Sequence, residues 1–399
     1  MTKRRSIAVV SALLAAQGCG LTTRDPDGAG GAAGSGGAGH FDCVGAHWKR
    51  FAPQGKQRDG LEAAAWRDDT VVVWAGVDAS FGTDKETSPG WRVALDGTIS
   101  ALPVAGAPSK RAVGAFDILG DQVLVWGGYS AEQDKYFDDG ARLDLLSDQW
   151  SPLPSAQAWM PPRHTAAHGV VDTRWLVWGG ISDGDFRKDG AVWDPEQDAW
   201  SPVVDAPTVA VLPALAQGDP QFGPVVVGAN GEPPKPYAYG FDPGSWVWWE
   251  LPEAEGPGIR ASGTASFCAA TQEVIVWGGV VWGGDEKGAS NTGERFSRAE
   301  GWRSMSTLGA PTPRIGHSAA VAGTKLVILG ATVPEDNGEL ASGGVYDLLT
   351  DSWSPLPAGD CAPPPRPYAN LTAFGDGKSV LLWGRAPAGS AHEWWLLTL

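Results

Sequence analysis

Short, continuous apolar runs that end in a glycine step recur seven times along this chain, separated by polar, turn-rich stretches. They are Val71-Val-Val-Trp74-Ala-Gly76, Leu124-Val-Trp126-Gly-Gly128, Leu176-Val-Trp178-Gly-Gly180, Val225-Val-Val227-Gly-Ala229, Val274-Ile-Val-Trp277-Gly-Gly279, Leu326-Val-Ile-Leu329-Gly330 and Val380-Leu-Leu-Trp383-Gly384. With the residue before the glycine step as marker, the intervals are 52, 52, 49, 50, 52 and 54 residues. So regular a period marks a repeat architecture. The runs are too short for helices and have strand-like length, and helical periodicity is essentially absent elsewhere.

Each period holds the same parts in the same order. An arginine follows a proline-rich or polar turn (Arg58, Arg111, Arg163, Arg260, Arg314, Arg366), then come a small-residue apolar strand, a polar turn and the glycine-step strand. After a variable loop stands an aromatic or leucine often trailed by aspartate (Leu143-Asp144, Trp193-Asp194, Phe241-Asp242, Tyr346-Asp347), and six or seven residues later a tryptophan (Trp150, Trp200, Trp248, Trp302, Trp353). Four short strands per repeat make a propeller blade. The double glycine after an aromatic strand, the aromatic-Asp pair and the tryptophan at fixed offset resemble the kelch repeat, over roughly residues 44 to 399. The first repeat departs from it at Val93 and Ile99, and the fourth lacks the arginine and ends its strand in Gly228-Ala229.

The expected fold is all-β, a seven-bladed kelch-like β-propeller of four-stranded antiparallel blades. Eleven of the 21 tryptophans fall on two repeat positions, where large flat side chains fill the wedge between neighbouring blades. The two ends of the chain complement each other. The last repeat stops after a third strand around Trp394-Trp395, whereas Trp48-Lys49-Arg50-Phe51 near the start reads like the missing fourth strand. The amino-terminal strand is therefore expected to complete blade seven and close the ring, removing its open edge.

Ahead of the ring, Lys3, Arg4 and Arg5 precede an apolar stretch and Ala16-Gln17-Gly18-Cys19, which resembles a bacterial lipoprotein cleavage site. The expected organisation is a signal peptide over 1–18, a flexible Gly/Ala-rich tether over 19–42 with lipidation at Cys19, and the propeller over 43–399. Such a protein would be exported and lipid-anchored in the cell envelope, with Gly20 favouring the outer membrane. Of the remaining cysteines, Cys268 reads as a buried thiol, and Cys43 and Cys361 flank the closure and could bridge it, among three open pairings.

The formal charge of −16, −19 once Lys3, Arg4 and Arg5 are removed, argues against nucleic acid as partner. The loops between second and third strands are acidic, and the six arginines start the innermost strands on the same face. A cationic mouth within an acidic rim is the expectation. Each arginine either pairs within the fold or points inward to bind an anion; kelch adaptor propellers, which this chain resembles, use such arginines on acidic peptides. The candidate ligand-binding residues are Arg58, Arg111, Arg163, His164, Arg260, Arg314, His317, Arg366 and Tyr368. No catalytic, metal-binding or phosphate-binding motif is found: Gly34-Ser-Gly36-Gly-Ala-Gly39 has a dinucleotide spacing without the strand and helix it needs, and six His and six Tyr offer no copper site. The resulting expectation is a monomeric, non-catalytic module without cofactors, binding an extracytoplasmic protein segment or glycan. A sugar isomerase or hydrolase acting in the central pocket, and a purely structural envelope lipoprotein, are the alternatives.

Overall fold

The computed structural model describes residues 41–51, 62–74, 89–111, 114–130, 133–207, 214–216, 223–230, 235–252, 259–261, 263–282, 288–330, 343–364, 370–385 and 392–399. Every regular element among them is a strand. Six four-stranded antiparallel sheets follow in chain order, and a seventh uses both ends of the chain. Blade two shows the plan: Ala115–Leu119, Gln122–Trp126, Gly140–Asp144 and Gln149–Pro152 pair as a simple meander. The equivalent innermost strands of blades one, three, four, five and six are Glu62–Trp66, Ala167–Val171, Ala214–Ala216, Thr264–Cys268 and Ser318–Ala322. In blade seven Asn370–Ala373, Ser379–Arg385 and His392–Thr398 are joined by Trp48–Phe51, with Trp48 opposite Leu397 and Arg50 opposite Trp395. The fold is a closed seven-bladed β-propeller. A fifth strand, Phe41–Val44, pairs outside Trp48–Phe51 and has no counterpart in the repeat; it starts two residues ahead of the boundary read from the sequence.

The apolar runs are continuous because both faces of each second strand are covered. In Val123-Leu124-Val125-Trp126 alternate side chains point to opposite sides. Val123 and Val125 pack toward blade one, Leu124 and Trp126 toward blade three. The described residues form seven hydrophobic clusters, one per junction; Phe51, Val71, Val93, Trp383 and Trp394 unite blades seven and one. No blade has a core of its own, so the ring is the folding unit.

The repeat tryptophans do more than fill space. In the fourth strands of blades two to six the repeat indole N–H donates to a carbonyl just past the preceding blade's fourth strand: Trp150 to Pro103, Trp200 to Pro154, Trp248 to Val204, Trp302 to Pro252 and Trp353 to Ser306. Trp48 does the same to Pro357, at 2.6 Å, across 309 residues of chain. The aromatic-Asp pair is a turn device. Asp144, Asp194, Asp242 and Asp347 accept backbone N–H groups two and three residues on, and the residue four on adopts a left-handed conformation (Asp148 φ 60°, Asp198 47°, Trp246 58°, Asp351 49°).

Cys43 and Cys361 form a disulfide, with Cα atoms 5.7 Å apart, that fastens the fifth strand of blade seven to the linker leaving blade six. Cys268 is a buried free thiol whose Sγ lies 3.3 Å from the Gly323 carbonyl.

Candidate functional site

In an antiparallel meander the connections from strand two to three and from strand four to the next blade lie at the same end. The arginine-bearing segments and the long acidic loops therefore share one face. On this face the double-glycine step turns the chain out of the second strand: Gly127 and Gly128 have φ of 67° and 98°, a region open to glycine at little cost. The turn aims the Gly128 N–H at the Arg163 carbonyl of blade three (2.8 Å), and the Arg163 N–H reaches the Phe137 carbonyl of blade two (3.2 Å). Blades five and six repeat this through Gly279 to Arg314 and Arg314 to Ser290. The backbone at the arginine is thus tied to the blade before it.

The side chain is tied to its own blade. Arg163, at 0% exposure, donates from Nη1 to the carbonyls of Gly179 and Asp189, from Nε to Pro161, and from Nη2 to the Asp189 carboxylate. Arg111 repeats it with Gly127, Asp139 and Ser109, its guanidinium 4.0 Å over the Phe137 ring. Arg314 donates to the Gly330 carbonyl and to Thr312. Burial lowers the pKa of all three, that of Arg314 to about 10, while Asp139 and Asp189 oppose the shift at the other two. The expected cationic mouth does not form at Arg111, Arg163 and Arg314, because their forks are spent on carbonyls and carboxylates inside the wall. Arg163 and Arg314 thereby each link two blades.

His164 and His317 follow these arginines into the wall and are buried. The His317 Nε2 lies 2.9 Å from Thr264 Oγ1, and its ring meets Trp277 edge-on at 4.9 Å. Desolvation, reinforced by Arg314, brings its pKa down to about 3; desolvation alone brings His164 to about 4. Both rings are neutral at physiological pH. Arg260 lies on the strand Ile259–Ala261, which pairs with Val280–Trp282. Arg58, Arg366, Tyr368 and Cys19 lie outside the described residues.

Among the described residues, the aromatic groups this face offers to solvent come from positions the repeat does not single out. In blade two a small hairpin, Tyr129–Ser130 with Lys135–Tyr136, rises from the loop between second and third strands. Its rings pack together at 4.9 Å, and Tyr136 stacks on His164 at 5.2 Å with 14° between planes. Tyr129 donates to Asp134 Oδ1 at 2.8 Å. The matching hairpin of blade three, Ile181–Ser182 with Asp185–Phe186, brings up Asp183, whose charge joins desolvation and Asp134 in raising the Tyr136 pKa. Two half-buried phenols beside carboxylates thus stand on the rim at blades two and three. Their signal in the sequence is Tyr-x6-Tyr directly after a double glycine, a departure from the repeat rather than part of it.

No protein-family model matches the chain. It is 24% identical over 246 residues to "Kelch domain-containing protein 3" of Homo sapiens, covering 53% of this chain and 58% of that protein, and equally to the protein of that name in Rattus norvegicus. A shorter match, 31% over 87 residues, is to "tRNA wybutosine-synthesizing protein 2/3/4" of Oryza sativa subsp. japonica, covering 22% of this chain and 8% of that protein. Low identity, seven four-stranded blades and the repeated glycine, aspartate and tryptophan positions agree. The chain is a kelch-like propeller. It spans a little over half the length of the kelch-domain relatives it matches, and what this kelch-like ring has in common with them is the scaffold, which suggests a protein-interaction module.

Proposed function

We propose that this kelch-like propeller is an envelope-anchored, non-catalytic module that captures an extracytoplasmic protein segment on the loop face at blades two and three. The observation that carries the reading is the Tyr129, Tyr136 and His164 stack, flanked by Asp134 and Asp183, on a face whose buried arginines hold it rigid. Tyrosine supplies contact area at low entropic cost and a polar tip, and the carboxylates favour a basic or hydroxyl-rich partner. Anchoring through Cys19 and export are supported by the lipoprotein-like start of the chain. They are also supported by the Cys43–Cys361 disulfide, a bond that persists in oxidising compartments.

The test uses the full chain against an array of peptides and glycans. Tyr129→Ala with Tyr136→Ala should weaken the peptides selected by the wild type at least tenfold without shifting the melting temperature. Equal affinity of the double variant would remove the site from this face, and glycan hits without peptide hits would change the ligand class. Cys19→Ala should move the protein from the membrane fraction to the soluble one.

A further inference from the structure

The opposite face carries the turns between first and second and between third and fourth strands, and on it two blade junctions share an ion pair that a third, with the same two residue types in place, does not make. At the third residue of the third strand, Arg92 of blade one reaches across to Asp148 of blade two. Arg142 of blade two reaches Asp198 of blade three with both arms, Nη1 to Oδ1 at 2.6 Å and Nη2 to Oδ2 at 3.2 Å. Both acceptors are the left-handed residues that close the next blade's turn. Blade five has the matching donor, Arg295, and blade six the matching acceptor, Asp351, φ 49°. Yet they do not meet.

Glu273 is the reason. It opens the second strand of blade five, where blades two, three and six have Gln122, Arg174 and Lys325, and it is 2% exposed. Its two oxygens accept from Arg295 Nη2 and Arg303 Nη2, which holds Arg295 back. Arg295 Nη1 stops at the Tyr346 hydroxyl, 3.2 Å away, and that hydroxyl donates to Asp351 Oδ1. Oδ1 also takes the Ser306 N–H at 2.9 Å, while no hydrogen bond or ion pair reaches Oδ2 of Asp351 among the described residues. Where the junctions of blades one with two and two with three hold a guanidinium, a pocket of about 580 Å³ opens, lined by Glu273, Arg295, Arg298, Glu300, Arg303, Leu349 and Asp351 among others. Leu349 is 71% exposed beside it.

We propose that this pocket between blades five and six receives an arginine side chain of a partner protein, its guanidinium on Asp351 Oδ2 and its aliphatic stem along Leu349. The incoming group takes the place that Arg142 fills two-handed on Asp198. Three arginines line the pocket and each faces a carboxylate, Arg295 and Arg303 on Glu273, Arg303 also on Glu300 at 3.1 Å and Arg298 on Asp242 at 3.6 Å, and the net charge of −16 attracts a cation from a distance. A planar fork suits the carboxylate better than an ammonium.

The test is saturation-transfer NMR on the full chain with N-acetylarginine N-methylamide, and the lysine and glycine analogues for comparison. Saturable arginine binding, at least threefold tighter than lysine and absent for glycine, is expected. Asp351→Asn should weaken it at least tenfold, the loss of one charge-assisted contact. Glu273→Gln should weaken it by letting Arg295 close onto Asp351. Because Asp351→Asn also disturbs the Tyr346 and Ser306 bonds, Leu349→Lys at the exposed mouth serves as the second variant, with at least a fivefold loss expected and the fold untouched. Tyr129→Ala with Tyr136→Ala should leave arginine binding unchanged, which separates this pocket from the loop-face site. Equal binding of the three probes, or of wild type and both the Asp351 and Leu349 variants, overturns the proposal.

Discussion

At the scale of single residues, polar groups built into the wall govern the response to acid. His317 and His164, with pKa values near 3 and 4, stay neutral in the fold, whereas in the unfolded chain they bind a proton near 6.5. The unfolded state therefore holds more protons between pH 6.5 and about 4, and stability must fall as the pH drops through that window, by about 1.4 kcal/mol per pH unit for each histidine. Carboxylates act later. Asp144, held low by the N–H groups of Ser147 and Leu146, and Asp242, held low mainly by Ser245, contribute stability above their unfolded pKa that is lost as the pH falls through their folded values. Urea unfolding at pH 7.5, 6.0 and 5.0 should show the slope, and His317→Gln should flatten it by about one proton. An unchanged slope would mean that water reaches the ring. The buried arginines set no such window, since even Arg314 near pH 10 is fully charged under these conditions.

At the scale of elements, the strand Trp48–Phe51 decides whether blade seven has an edge. It covers His392–Thr398 with ladder bonds, buries Trp48 and Phe51, and places the Trp48 indole on Pro357. A chain beginning at residue 52 should expose His392–Thr398 as an unpaired apolar strand and associate through it. Size-exclusion chromatography should show oligomers, and a peptide of residues 41–51 added in trans should restore the monomer; a monomeric truncated chain would refute the strand's role. This closure was legible in the sequence because Trp48 repeats the spacing of Trp150 and Trp353 within a fourth-strand pattern. Seven blades were legible for the same reason. The fifth strand was not, since Phe41-Asp-Cys-Val44 stands outside any period and is held by contacts the repeat does not encode: the disulfide, Phe41 against Phe51 at 4.8 Å, Lys49 over the Phe41 ring and Arg50 beside Asp42. The arginines were legible as positions but not as roles. Their partners Asp139 and Asp189 stand 28 and 26 residues on, each just before the glycine that opens a third strand, and nothing local to the arginine says that the fork closes on them. The blade-five pocket was hidden because it arises from one acid, Glu273, at a position where the repeat is silent.

At the scale of the whole molecule, the ring is chemically uneven. Six indole bonds join neighbours at six junctions, from blades one and two round to six and seven. Between seven and one the equivalent residue is Ile99, which packs in the cluster of Phe51, Trp383 and Trp394 but donates nothing. Phe41 covers this place, its ring within 3.4 Å of where a side chain on Gly97 would begin, so the fifth strand partly replaces the missing indole. The disulfide holds that strand down from the blade-six side through Cys361. Reduction therefore releases the cover from the one junction without an indole bond, and opening should begin there rather than uniformly. Hydrogen exchange with and without dithiothreitol tests this: residues 41–51 and 392–398 should exchange faster on reduction, while Gln122–Trp126 and Arg174–Trp178 of blades two and three keep their protection. Equal acceleration in every blade would make the disulfide a global constraint on the unfolded chain. Acceleration confined to blades seven and one would make it a clasp on the seam where the two ends of the chain meet.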